Sequence, residues 1–201
     1  MEKIVKNYID KLYSNFIKTE VTDFKRKKLF LDKALNKCAE IIIQADAKGK
    51  KVMFIGNGGS AAVASHKALD FWFTGKIRGL AFSDHANLTA VSNDFGYENV
   101  FVSQIERFAD KGDVLCAISS SGNSENIVLA AKKAKNMGCK VFTFSGFEKT
   151  NRLRKLGDLN FYTPSFHYNQ VESIDLLLCD CILEIITERY GKKVQKKRKT
   201  K

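Results

Sequence analysis

The stretch ISSSGNSENI, Ile118 to Ile127, places Ser119, Ser120, Ser121 and Ser124 around a glycine and an asparagine, between an apolar run and a helical one. Helix N-termini expose unpaired N–H groups and carry partial positive charge. Hydroxyls add donors that match phosphate oxygens. A capping turn needs one serine, not four, so this loop is expected to hold a phosphate. A second stretch, FIGNGGSAAVASH (Phe54 to His66), follows an apolar run with Gly-Asn-Gly-Gly-Ser. Its glycines permit positive φ and let a ligand approach main-chain N–H groups, and Ser60 suits an N-cap. Alone, this turn is explained equally well by a tight strand-to-helix connection. Neither GxGxxG nor GK[ST] is present, so NAD and ATP are not expected as ligands.

The elements that must position these turns alternate. Apolar residues recur at helical spacing in the first 48 residues, predicting two helices: Ile4, Tyr8, Ile9, Leu12, Phe16 and Ile17, then Phe30 to Ala45. Strands are expected at 51–56, 79–84, 113–119, 140–146 and 159–164. Helices are expected at 60–73, 86–93, 97–109, 124–137 and 169–190. Strand then helix, repeated, predicts a parallel sheet with helices on both faces. Ligands of such sheets bind beyond the strand C-terminal ends, which is where both turns fall.

The totals bound the rest. At 201 residues and 44% hydrophobic content, the chain is long enough for one domain with a full core. No apolar run approaches the ~20 residues that span a bilayer, and the N-terminus does not read as a signal peptide. A cytoplasmic protein is expected, with neither a membrane nor nucleic acid as partner. The five cysteines are irregularly spaced, without a CxxC pair, and read as buried free thiols. Seven of the twelve excess positive charges lie in KKVQKKRKTK. The expected organisation is one domain, 1–191, and a basic, disordered tail, 192–201.

Taken together, GNGGSAA at 56–62 with His66, LTAVSNDFGYENVFVSQIE at 88–106, GDVLCAISSSGNSENIVLAAKKAKNMG at 112–138 and VESIDLLLCDCILEII at 171–186 resemble the SIS (sugar isomerase) family. The similarity is greatest to its sedoheptulose 7-phosphate isomerase branch and covers nearly the whole chain to about Tyr190. The resemblance implies a three-layer α/β/α sandwich with a flavodoxin-like parallel sheet, preceded by the two N-terminal helices. It also implies a homotetramer with active sites between subunits. It assigns the substrate phosphate to Ser119, Ser120, Ser121 and Ser124, with Ser60 and Gly58 nearby, and the sugar to Asn57 and Asp94. The implied reaction interconverts a ketose and an aldose phosphate in heptose and surface-polysaccharide synthesis, through base and acid groups acting on an enediol. The implied cofactor is a divalent metal, usually zinc.

The chain departs from that pattern where the chemistry would lie. The family carries His then Glu four residues later, and on the last helix Gln then His eight residues later. Here the pairs are His66 with Asp70, and Glu172 with Asp180; Val63 replaces an Asp, and Lys76 stands where Arg is expected. His66 and Asp70 share a helix face, and Glu172 and Asp180 lie about 80° apart around theirs. The resulting expectation is a catalytic set of Asp70, His66 and Asp180 and a cation set of His66, Asp70, Glu172 and Asp180. A salt-bridged or solvated acidic face is the plainer reading of 172–180. His85 and His167, both expected at strand ends, are the reserve acids if Asp180 cannot supply the proton. The functional alternative is a non-catalytic phosphosugar-binding or regulatory protein on the same fold, like the relative that associates with a replication initiator.

Overall fold

A computed structural model describes residues 2–198, with the backbone alone for residues 190 and 192–198. The chain runs α1 (Lys3–Ile17), β1 (Glu20–Asp23), β2 (Lys28–Leu29), α2 (Leu31–Asp46), β3 (Val52–Ile55), α3 (Gly59–Phe73) and β4 (Gly79–Ala81). It continues through α4 (His85–Phe95), α5 (Val102–Phe108), β5 (Val114–Ser119), α6 (Glu125–Asn136), β6 (Lys140–Ser145), β7 (Leu159–Tyr162) and α7 (Tyr168–Arg198). Residues 97–109, expected as one helix, split into a 3-10 turn at Tyr97–Asn99 and α5. The side chains of the expected tail, 192–201, lie outside the described residues.

One sheet in the order β2-β1-β7-β6-β5-β3-β4 forms the middle layer. The strands from β7 to β4 pair in parallel, as the alternation predicts. The first two do not: β1 pairs antiparallel with β7 and with β2. The expected parallel sheet thus carries an antiparallel edge that the sequence did not announce, because a four-residue and a two-residue strand are too short to show a period. Alternate residues of β3 face opposite layers. Val52 and Phe54 join α2, α3 and α7 residues such as Ile42, Phe71 and Leu178. Met53 and Ile55 join Phe101 and Ile105 of the α4–α5 segment and Ile127 of α6. Burying each such side chain contributes roughly 1.5–3 kcal/mol, which is why these strands read as continuous apolar runs. Cys38, Cys116, Cys139 and Cys179 are buried free thiols, as expected, and Cys181 is partly buried.

The helix faces follow the same logic. Ala34, Leu35, Cys38, Ala39, Ile42 and Ala45 give α2 one buried stripe. In α1, by contrast, Ile4, Val5, Ile9, Tyr13 and Ile17 are exposed, and Asn15 Nδ2 donates to Gln170 Oε1 of α7 at 2.9 Å. No helix among the described residues is long and apolar enough to cross a membrane.

The connection from β3 leads outward to β4, whereas that from β5 leads the other way to β6 and β7. Between β3 and β5 the strand order reverses, and the loops leaving them part to open a crevice. Both Gly/Ser-rich turns border it.

Candidate active site

The β5–α6 turn is held from outside, at Gly122 and Asn123. Gly122 has φ 64°, and a Cβ there would collide with the Asn151 side chain. Asn151 Nδ2 is in turn fixed by Ser145 Oγ at 3.1 Å and the Glu148 carbonyl at 2.9 Å. The Leu153 N–H donates to the Gly122 carbonyl at 2.9 Å, and the Arg152 N–H to Asn123 Oδ1 at 3.0 Å. Ser124 is the N-cap of α6, yet its side chain makes no capping hydrogen bond. Ser119 Oγ lies 3.3 Å from Ser124 Oγ, and Ser121 Oγ accepts from the Asn123 N–H at 3.2 Å. Ser120 Oγ is buried without a partner. Leaving a buried hydroxyl unpaired costs about 1–3 kcal/mol, a cost that nothing within the fold offsets at Ser120.

These four serines, with Asn57, Gly58, Gly59, Ser60, Tyr168 and Glu172, line a cavity of about 330 Å³. The β3–α3 turn supplies the second wall. Gly58, not Ser60, is the N-cap of α3; it holds φ 54°, and Ser60 sits buried in the first turn. Glycine tolerates this conformation, which displaces the cap by two residues from the expected one. Glu172 reaches across from α7 and packs its carboxylate where a Gly59 side chain would stand. Burial pushes the Glu172 pKa up, against a hydrogen bond from the Ser60 N–H that favours the charged form. Asn57 is held by a reciprocal pair with Asn126, at 2.9 and 3.1 Å, and by the Tyr97 hydroxyl at 2.9 Å. An adjoining cavity of about 320 Å³ shares Asn57 and Ser124 and is bounded by Tyr97 and Glu98.

The expected acid–base residues lie farther along the same two helices. From Ser60 to Asp70 α3 rises about 15 Å, and Asp70, His66 and Asp180 are not in the cavity wall. They do meet one another, through a residue the sequence reading passed over. Lys67 is 1% exposed, and its Nζ donates to Asp70 Oδ2 at 2.5 Å and to Asp180 Oδ1 of α7. His66 Nε2 stands 3.3 Å from Asp70 Oδ2 on the open side, with the imidazole 56% exposed. Burial by itself would pull the Lys67 pKa down; the hydrogen bonds to Asp180 and Asp70 outweigh it and hold it above the ordinary lysine value.

This geometry corrects the expected cation set of His66, Asp70, Glu172 and Asp180. Among the described residues no three His, Cys, Asp or Glu side chains gather as a metal site. Glu172 is engaged with the α3 N-terminus, and an ammonium already lies between Asp70 and Asp180. The residues present do not fit a divalent ion.

Other expected residues stay apart. Asp94 is exposed on α4 and accepts from Asn93 Nδ2 at 2.8 Å. His85 opens α4 behind its N-cap Asp84, and His167 borders a groove with Tyr8 and Lys11 of α1. Sequence reasoning missed Lys67, Tyr97 and Asn126 altogether. For Lys67 a signal existed, since Ala64, Lys67, Ala68 and Phe71 fall on one buried face of α3.

Known proteins place this architecture. The family signature described as SIS domain matches residues 13–146. A phosphoheptose isomerase of Helicobacter hepaticus is 38% identical over 174 residues, covering 82% of this chain and 87% of that protein. One from Clostridium acetobutylicum is 38% identical over 164 residues, covering 77% and 82%. The solved phosphoheptose isomerase of Neisseria gonorrhoeae superposes with a TM-score of 0.78 at 27% identity, covering 92% of this chain and 97% of that one. The chain therefore belongs to the SIS-domain family, in its phosphoheptose isomerase branch.

Proposed function

We infer that the protein is a phosphosugar isomerase of heptose biosynthesis, interconverting sedoheptulose 7-phosphate, or a related ketose phosphate, with its aldose. The observation that carries this reading is the serine cradle: half-buried, backed by Asn151 behind Gly122, and with the Ser120 hydroxyl unpaired. Membership of the phosphoheptose isomerase branch supports isomerisation of a sugar phosphate, with which an aldose–ketose step is consistent. The phosphate sits on Ser119, Ser120, Ser121 and Ser124 at the α6 N-terminus, and the sugar extends past Asn57.

In the forward direction Asp70 takes a proton from C1 of the ketose, beside the C2 carbonyl, leaving an enediol. A proton returns to C2, and the hydrogen on the C1 oxygen is lost as that on the C2 oxygen is gained, so the sugar is isomerised without net loss of atoms. His66, beside Asp70 and open to solvent, passes protons between the two oxygens. Asp180 stands on the opposite side of Lys67. The exposed apolar faces of α1 and of α3, at Leu69, Trp72 and Phe73, support assembly with further copies. Under this reading the assembly is a tetramer in the cytoplasm, and a neighbouring copy brings Asp94 to the sugar.

A second reading, phosphosugar binding without turnover, is favoured by one observation: Lys67 engages both carboxylates. Proton NMR in D2O with sedoheptulose 7-phosphate separates the two. Turnover or C1 deuterium exchange, lost in Asp70→Asn, is the expected result. Binding that depends on Ser121 but brings neither exchange nor turnover rejects the isomerase.

A further inference from the structure

We propose that Lys67 is the built-in cation of the acid–base cluster, a positioning residue whose ammonium bridges Asp70 and Asp180 where a divalent ion would otherwise be needed. The inference rests on the isomerase reading for its kinetic arm but not for its binding arm.

Lys67 occupies a core position of α3, between Ala64, Ala68 and Phe71, where the other buried side chains are apolar or small. An ammonium in such a place is costly unless it is paired and hydrogen-bonded. Here its Nζ meets one carboxylate from its own helix and one from α7. The pairing is asymmetric in exposure: Lys67 is 1% exposed, Asp70 26% and Asp180 44%. The cation is sealed inside while both anions keep an open side. Lys67 therefore cannot touch a substrate, but it sets where the two carboxylates point. Without a positive charge between them, two carboxylates at this separation repel and swing apart. A metal ion would have to displace the ammonium to gain both oxygens, and the ammonium is covalently tethered between them. The fold has thus fixed a monovalent charge at the point where α3 crosses α7, and the third donor, His66, is left on the outer side of Asp70.

The test uses the full chain, stripped with a chelator and then titrated with zinc chloride. Zinc content after desalting, the unfolding midpoint with and without zinc, and turnover with and without chelator are measured. The wild type is expected to retain substoichiometric zinc, with a midpoint that zinc does not raise and a turnover that chelator does not lower. Lys67→Met frees Asp70, Asp180 and His66, and is expected to take up zinc and to unfold at a higher temperature when zinc is present. Its kcat is expected to fall on the order of 10²-fold with KM little changed, as displacement of a base by about 1 Å would cause. Lys67→Arg is expected to recover part of that kcat, which a purely structural ion pair would not split from KM. One equivalent of wild-type zinc that is lost in both His66→Ala and Asp70→Asn overturns the proposal. So does a Lys67→Met protein that keeps wild-type kcat and binds no more zinc. If Lys67→Met does not fold, the wild-type zinc measurements and the kcat of Lys67→Arg decide. If no variant or wild type turns substrate over, the isomerase reading fails, while the zinc and unfolding arms still judge Lys67.

Discussion

The two turns at the crevice share a plan and differ in what answers their amide ends. After β3, the first turn of α3 receives an internal anion: Glu172 of α7 lies against Gly59 and accepts from the Ser60 N–H. After β5, the first turn of α6 receives none in the cradle. Ser124 caps nothing with its side chain, and Ser120 Oγ has no partner. The same local device, a strand running into a helix N-terminus, is answered by an internal anion in one case and by none in the other. A glycine-rich turn is therefore weaker evidence of a ligand site than a polar group the protein itself fails to pair.

The largest expected effect comes from removing the unpaired group. A hydrogen bond to a charged oxygen contributes about 1.5–3 kcal/mol, and each 1.4 kcal/mol is about tenfold. Ser120→Ala should raise KM for the sugar phosphate roughly 10- to 100-fold with little change in kcat. An unchanged KM in steady-state assays would erase the difference between the turns.

Asp175, one turn along α7 from Glu172, is the acid that received no amide. Both its oxygens are buried without a partner, and burial, with the Glu172 charge adding to it, pushes its pKa well above the ordinary carboxylate value. Raised in the fold above the unfolded-chain value near 3.9, this group binds its proton more tightly in the native state. Stability must then fall as pH rises from about 4 toward the raised value, since the native state binds more protons. Asp175→Asn removes that slope, so the variant should gain stability relative to the wild type as pH rises from 4 to 7. Urea unfolding at pH 4 and pH 7 checks it; an equal gain at both would mean Asp175 is charged in the fold.

The smallest effect tests the filled turn. Glu172→Gln keeps the shape and deletes the negative charge facing the cradle cavity, so phosphate should bind several-fold tighter, about 1 kcal/mol at exposed-site dielectric. Wild-type affinity should approach the variant's as pH falls through the raised Glu172 value. Isothermal titration with the sugar phosphate at two pH values would expose a Glu172 that does not face the ligand: the two proteins would then bind alike.

How much of this was legible beforehand depended on the range of the signal. Strands such as VLCAIS announced themselves because both faces are buried, and the serines of 119–124 because their number exceeds what a cap uses. The β1–β2 pair was illegible, since its register is set by β7, some 140 residues away. Lys67 was hidden differently. Four-residue spacing drew attention to His66 and Asp70 on the partly exposed face, while the residue between them turns inward to meet Asp180, 113 positions later. Periodicity shows which face is buried, but not that a charge on that face has found two partners across a helix crossing. Glu172 was placed on the right helix and given the wrong company, because a shared helix says nothing about which neighbouring terminus a side chain will reach.

The borders of the sheet carry a final consequence. Without β1, the four-residue β7 would lie open along one side, offering unpaired N–H and C=O groups to any passing strand. Instead β1 covers it, and the new margin is β2, two residues long and led by the exposed Lys28. The far margin, β4, is only three residues. Margins this brief, one of them led by a lysine, give a poor template for strand-by-strand growth. Edge-to-edge polymerisation from the native state is thereby disfavoured by a hairpin whose longer strand is four residues.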